Sequence, residues 1–292
     1  MFRIVRKEEL RPTVTLYEIE APLVAKKAQP GQFIILRVDE NGERIPLTVA
    51  DYDRVRGSVT VIFQVVGAST EKLNRLGEGD CLHDFVGPLG RATHTDGLRK
   101  VAVVGGGVGC AIAFPVAKKL HALGCEVHAI VGFRTKDLVI LEREFEENST
   151  RLIRMSDDGS FGEKGLVTDA LRALIESGEQ YDEIITIGPL VMMKFVCALA
   201  KEYGIPMIVA VNQLDGDKAN WEGTLESMKE TFGNKPVVVQ YPVTVGAGFD
   251  GFVDVLKMKY YRFEGDTGKR QDLEIPAELA DEAEIKYQYS VS

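Results

Sequence analysis

The chain has 292 residues, 45% of them hydrophobic and 27% charged, with a formal net charge of -9. That length predicts about two globular domains of roughly 100 to 200 residues each, and the composition excludes global disorder. The acidic balance argues against broad nucleic-acid binding, which needs Lys and Arg to displace phosphate counterions; with no apolar run near the roughly 20 residues that span a bilayer, the expected location is the cytoplasm.

From Val14 to Ile19 apolar and polar residues nearly alternate, and QFIILRV (32–38) and SVTVIFQVV (58–66) are rich in β-branched residues, so all three read as strands. Gly and Pro punctuate the pieces between them, and TEKLNRL (70–76) reads as a short helix. Residues 1–98 are therefore expected to form a small antiparallel barrel.

At Lys100 the rhythm changes. KVAVV (100–104) is a short buried strand, GGGVG (105–109) a turn, and AIAFPVAKKLHALG (111–124) a helix with a Pro in its first turns. EVHAIVGF (126–133), RLIRMSDD (151–158) and DEIITIGP (182–189) supply further strands, separated by the helical patterns LEREFEEN (141–148) and LVTDALRALIESG (166–178). This alternation predicts a parallel sheet with helices on both faces over residues 99–211, with IPMIVAVN (205–212) as its last strand. Beyond it come a helix, WEGTLESMKETFG (221–233), an apolar strand, KPVVVQYPV (235–243), and the stretch GFDGFVDVLKMKYYRF (248–263). The tail from Glu264 is polar and acidic and is expected to be mobile.

Adjacent glycines after a buried strand allow positive φ and remove the Cβ atoms that would keep a pyrophosphate off the backbone. The following helix adds unpaired N–H groups and the positive end of its dipole. Gly105, Gly106, Gly107 and Gly109 thus suit a dinucleotide, with a plain tight turn as the competing reading. The G-x-G-x-x-G pattern is not met, because Cys110 stands in the last position, and the second strand ends in Gly132, Phe133 and Arg134 rather than in a ribose-binding carboxylate. Cys110 at a helix start is either a thiol of depressed pKa or a small packing residue. Cys81, Cys110, Cys125 and Cys197 form no C-x-x-C pair, and the four histidines lack metal-ligand spacing, so free thiols in packing positions and no metal site are expected.

Six ordered motifs carry a resemblance over residues 1 to about 210: ERIPLT (43–48), VVGAST (65–70) with GPLGR (87–91), VGGGVG (104–109), VGFRTKD (131–137), SDDGSFGEKGLVTD (156–169) and IGPLVMMKFV (187–196). In this order they resemble the ferredoxin reductase-like electron-transfer subunits found with dihydroorotate dehydrogenase. They are still more similar to the small FAD subunit of NAD-dependent ferredoxin:NADP oxidoreductase, also called a sulfide dehydrogenase subunit. The fold this implies is α/β plus all-β: an N-terminal antiparallel FAD-binding β-barrel, then a parallel-sheet NAD(P)-binding domain, with an atypical C-terminal segment over 212–292.

The same resemblance puts Arg44 on the FAD pyrophosphate and Pro46, Leu47 and Thr48 along the isoalloxazine ring, with Val66, Gly67, Ser69 and Thr70 on the ribityl chain and pyrophosphate. A guanidinium suits a pyrophosphate through its paired donors, although Arg44 beside Glu43 also reads as a solvated turn residue. Gly105, Gly106, Gly107 and Gly109 would take the nicotinamide nucleotide's pyrophosphate, and Asp157, Asp158, Gly159, Gly188 and Pro189 would stand at strand ends around it. Arg134 and Lys136 are candidates for a 2'-phosphate, leaving NAD and NADP open. The implied activity is hydride transfer between nicotinamide and flavin, with electrons passed to a larger oxidoreductase subunit or a ferredoxin-type acceptor; neither nucleic acid nor membrane is an expected partner. No catalytic acid or base is assigned. The family's third segment carries a 2Fe-2S centre on a cysteine cluster, and here no cysteine follows Cys197.

From about Pro206 the chain instead resembles the later part of the elongation factor G GTPase domain. Asn212-Gln213-Leu214-Asp215 stands for the N-K-x-D motif whose Asp reads guanine, with Gln213 at the Lys position, but no G-x-x-x-x-G-K-[ST] phosphate loop is present. The chain reads as a hybrid whose C-terminal segment replaces the iron-sulfur segment. A GTP-binding, translation-related protein and a catalytically idle hybrid are the alternatives to a working flavin reductase.

Overall fold

Strand β1 (Phe2–Arg11) turns through Pro12 and Thr13 into β2 (Val14–Glu20), the two running antiparallel with Arg11 opposite Val14. The computed structural model describes residues 2–205, 214, 216, 219–233, 236–264 and 269–291. The strand expected over 205–212 and the Asn212 and Asp215 of the guanine motif lie outside the described residues, apart from Ile205.

Short helix α1 (Pro22–Lys27), β3 (Phe33–Arg37), β4 (Ile45–Asp53), β5 (Ser58–Gln64), helix α2 (Ala68–Asn74), β6 (Cys81–Leu82) and β7 (Asp84–Leu89) complete the first region. Its seven strands form one sheet in the order β6-β1-β2-β5-β4-β3-β7. The two outermost strands, β6 and β7, are consecutive in the chain with only His83 between them, so the sheet curls into a nearly closed barrel. Ile19, Ile34, Leu36, Val49, Val61 and Phe63 fill it. Tyr17, fully buried, donates its hydroxyl to the carbonyls of Leu73 and Leu76 at 2.8 Å each, which fixes α2 against the barrel wall.

The second sheet is parallel: β8 (Lys100–Gly106), β9 (Glu126–Phe133), β10 (Arg151–Ser156), β11 (Glu163–Lys164) and β12 (Glu183–Ile187), in the order β11-β10-β9-β8-β12. Period-two alternation decides its faces. Val101 and Val103 meet helices α3 (Cys110–Ala122) and α4 (Glu142–Glu147) on one side, whereas Ala102 and Val104 meet α5 (Val167–Glu176) and α6 (Leu190–Glu202) on the other.

The predicted boundary at residue 98 separates two sheets but not two cores. Val14, Leu16, Ala50 and Ile62 of the barrel belong to the same buried cluster as Ala113, Phe114 and Ala117 of α3. Lys118 of α3 adds an ion pair across the join, its Nζ 2.8 and 2.6 Å from the two carboxylate oxygens of Asp51. Residues 1–203 accordingly form one compact unit, and 204–292 a second.

In the second unit, α7 (Trp221–Phe232) starts at Asn220, whose Oδ1 accepts from the Gly223 N–H at 2.9 Å. Strands β13 (Gln240–Pro242), β14 (Gly251–Asp254), β15 (Lys259–Glu264) and β16 (Lys269–Leu273) form an antiparallel sheet, and α8 (Ala277–Val291) follows. One expectation changes here. The apolar strand predicted from Lys235 shrinks to three residues, because Val237 and Val239 find no cover and stay 49% and 41% exposed. The tail expected to be mobile contains β16 and α8, and α8 buries Ala283 with Leu279 and Tyr287 beside it, a stripe at helical spacing. Among the described residues no helix is long and apolar enough to cross a membrane.

Candidate functional site

The carboxyl ends of β8, β9, β10 and β12 open on a cleft of about 490 Å³, closed on its far side by Arg11, Thr13, Val14 and Gln64 of the barrel. Strand order reverses between β8 and β12, which is where open α/β sheets hold ligands. The glycine turn lies at that point, and its glycines serve different ends. A Cβ on Gly105 would fall 2.8 Å from Cys110 Sγ, one on Gly106 2.4 Å from Met192 Sδ, one on Gly109 2.6 Å from the Ile187 carbonyl oxygen, and one on Gly188 2.5 Å from Met192 Cε. Those four positions are small so that β8, β12, α3 and α6 can approach. Gly107 differs: its φ is +56°, a Cβ there would meet nothing within 4 Å, and it lines the cleft. A short 3-10 turn, Gly107–Gly109, separates it from α3, so the helix begins at Cys110.

Cys110 is fully buried and its burial pushes the thiol up to about 12, which makes it a packing residue and not an activated nucleophile. The loops after β9 and β10 are tied to each other. Ser160 Oγ accepts from the Lys136 N–H at 2.8 Å and donates to Asp158 Oδ1 at 2.6 Å, and hydrogen bonds from Ser160 hold the Asp158 carboxyl below its ordinary range. Asp158 thus serves its own loop, while Asp157 lines the cleft. Of the predicted nucleotide residues, Gly106, Gly107, Asp157 and Pro189 line the cleft, and Gly105, Gly109, Asp158, Gly159 and Gly188 do not. Arg134 also lines it, and Lys136 lines a neighbouring cavity.

The predicted flavin residues stand elsewhere on the barrel, and none of them lines this cleft. Arg44 is exposed, with no ion pair among the described residues; it immediately precedes β4, which carries Pro46, Leu47 and Thr48. The loop before it is anchored to α2 twice, by Glu43 accepting from Ser69 Oγ and by Asp39 pairing with Lys72. Those anchors bring the Arg44 segment to the start of α2, where Val66, Gly67, Ser69 and Thr70 lie. Here the donors are already engaged: Thr70 Oγ1 accepts from the N–H groups of Val66 and Gly67 at 3.0 and 3.1 Å. Val65 N–H donates to the Thr13 carbonyl at 2.8 Å, so this segment runs directly into the barrel wall of the cleft.

Sequence reasoning missed that wall. Arg11, Thr13 and Gln64 carry no motif, and nothing short of the hairpin itself points to them. Met192 and Phe195, which give the cleft much of its apolar lining, stood inside IGPLVMMKFV and were legible only through the resemblance.

The donor set does not fit a 2Fe-2S centre. Cys81 is in β6, Cys110 in α3, Cys125 just before β9 and Cys197 in α6, all four free. Among the described residues no three His, Cys, Asp or Glu side chains converge on a metal position.

A nearly closed antiparallel barrel sharing its core with a parallel nucleotide-type sheet, and a cleft between them at the strand ends, define a reductase of the ferredoxin reductase type. No family model matches the chain. It is 42% identical over 211 residues to the dihydroorotate dehydrogenase B (NAD(+)) electron transfer subunit homolog of Thermotoga maritima, covering 72% of this chain and 74% of that one. The chain belongs to the family of dihydroorotate dehydrogenase B electron transfer subunits and their homologues, which are NAD(P)H-dependent flavin oxidoreductases. It is also 42% identical to an uncharacterized protein in the adh 3' region of Clostridium beijerinckii, over 93% of each chain. A solved structure of the NADH-dependent reduced ferredoxin-NADP oxidoreductase, described for flavin-based electron bifurcation, superposes with a TM-score of 0.68 at 33% identity, covering 79% of this chain and 93% of that one.

The likeness of residues 206–292 to elongation factor G gains no support from these relatives. The 93% coverage by the Clostridium beijerinckii protein exceeds the 72% that 211 residues represent, so that alignment runs into the 212–292 segment.

Proposed function

We propose that the chain is an FAD- and NAD(P)H-binding electron-transfer subunit, which delivers electrons to a larger oxidoreductase subunit or a ferredoxin-type acceptor. The observation that carries the reading is the cleft between barrel and sheet, with Gly107 presenting bare backbone to it. A nicotinamide held in the cleft would supply hydride chemistry, and a flavin held on the barrel would supply its acceptor.

The chain's own residues bind, orient and exclude water. Gly107 lets a pyrophosphate reach the backbone at the start of the Gly107–Gly109 turn, while Arg134 faces it, and among the described residues Asp157 is the only carboxylate in the lining. Arg44 and the segment Val66–Thr70 would hold the FAD pyrophosphate, with Pro46, Leu47 and Thr48 beside the ring. Met192, Phe195, Val191 and Val14 give the cleft an apolar lining that would exclude water from a nicotinamide ring bound in it. Residues 1–98 and 99–203 act as the flavin and nicotinamide portions of one compact unit, since they share a core.

The purified chain should carry FAD, visible as a yellow chromophore that bleaches on anaerobic addition of NADH or NADPH. A colourless protein that binds a fluorescent GDP analogue would replace this reading with a nucleotide-binding one. Retained FAD that stays oxidised would mean a folded but idle chain.

A further inference from the structure

The proposed function leaves one cation unexplained, Arg11, at the tip of the β1–β2 hairpin. The pairing of these strands is irregular between Glu9 and Arg11, and a bulge there re-aims the side chain that follows. Leu10 packs against the core shared with the sheet, so the hairpin tip reaches across to the nucleotide-binding side. Arg11 lines the cleft opposite Gly107 and Arg134, and also a second cavity of about 440 Å³ that it shares with Lys136. Its Nη1 donates to the Leu10 carbonyl at 2.8 Å, but its Nε is buried without any hydrogen-bond partner. A buried charged donor left unpaired is costly, and a phosphate bound on the guanidinium would offset that cost. Arg134 and Lys136 form no ion pair among the described residues; Arg134 shares the cleft with Arg11, and Lys136 shares the second cavity with Arg11, Glu9 and Asp137.

Resting on the proposed nicotinamide site, we infer that Arg11 is a phosphate ligand of the bound nicotinamide dinucleotide, supplied by the flavin barrel, so that nucleotide binding clamps barrel and sheet together. A guanidinium fits the task because its fork keeps several donors for one phosphate even with Nη1 held by a carbonyl. The nicotinamide nucleotide is favoured over the flavin's pyrophosphate because Arg11 shares its two cavities with the loop after β9, and none of the Arg44 or α2 residues lines either.

The test uses the full chain loaded with FAD. Arg11→Gln should weaken binding of a non-reducible tetrahydro analogue of NADH by about tenfold or more, with Arg11→Lys recovering part of the loss. FAD content should be unchanged, and so should the rate of flavin reduction by 1-benzyl-1,4-dihydronicotinamide, a hydride donor without phosphate. Unchanged affinity for the analogue overturns the inference and leaves the nicotinamide site standing. Loss of FAD would assign Arg11 to the flavin, and an equal loss with the phosphate-free donor would make its role structural; either outcome overturns it too. If the wild-type chain, FAD-loaded, binds no nicotinamide nucleotide, the site and the inference fall together.

Discussion

Gly107 and Gly178 offer a matched pair of perturbations. Both adopt left-handed φ, +56° and +93°, and a Cβ at either would meet nothing within 4 Å. Substitution by Ala therefore costs only backbone strain, about 1–2 kcal/mol in each case. For a unit of about 200 residues that is a fall in Tm of about 2–8 °C. The sites differ in what lies beyond the added methyl: Gly107 faces the cleft, while Gly178 closes the turn after α5 and does not line it. In the FAD-loaded chain, titration calorimetry with tetrahydro-NADH should show Gly107→Ala binding about tenfold more weakly, a loss of about 1.4 kcal/mol, and Gly178→Ala binding like wild type. Equal affinities in the two variants, with equal losses of Tm, would refute the assignment of Gly107 to a dinucleotide and leave the glycine turn as a packing device.

Arg44→Ala should weaken FAD retention by about 1.5–3 kcal/mol, measured by equilibrium dialysis; unchanged retention removes Arg44 from the flavin site. The Lys118–Asp51 pair, with side chains 41% and 34% exposed, should give a coupling of about 0.2–1 kcal/mol in a double-mutant cycle, shrinking at high salt. His128, 4% exposed, is hydrogen-bonded to Tyr181 and Glu126 at 2.9 and 3.0 Å, and burial lowers its pKa from 6.5. The unfolded chain therefore takes up this proton first, so stability falls as pH drops below 6.5 and is untouched by His128 above it. Urea unfolding at pH 7.5 and 5.5 should show a smaller acid loss in His128→Asn than in wild type. Glu126 and Glu179, held low by hydrogen bonds from Lys100, add a further loss below their ordinary value of 4.5 that Lys100→Met should reduce.

The parallel sheet was legible because its strands are short apolar runs alternating with helical patterns, and β9 falls on EVHAIVGF as read. β1 was missed because its pattern is charged on both faces and only Ile4 is fully buried. β4 was read as punctuation because it begins Ile45-Pro46, yet Pro46 pairs with Ile35 inside the sheet. In the tail, Leu279, Ala283 and Tyr287 at four-residue spacing carried a helix signal that the surrounding acids obscured. For the site, a glycine turn after a strand could be read from local chemistry. The barrel wall could not, since Arg11 and Gln64 reach the cleft only once a hairpin and a sheet are packed on one core.

The central claim is that a flavin on the barrel and a nicotinamide nucleotide in the cleft between barrel and sheet lie close enough to exchange hydride. Anaerobic stopped-flow reduction of the FAD-loaded chain by NADH, with hydrogen and then deuterium at the transferred position of C4, tests it most directly. The account predicts bleaching that is slowed by deuterium and slowed again in Gly107→Ala at limiting NADH. FAD that remains bound and oxidised with both NADH and NADPH would contradict it.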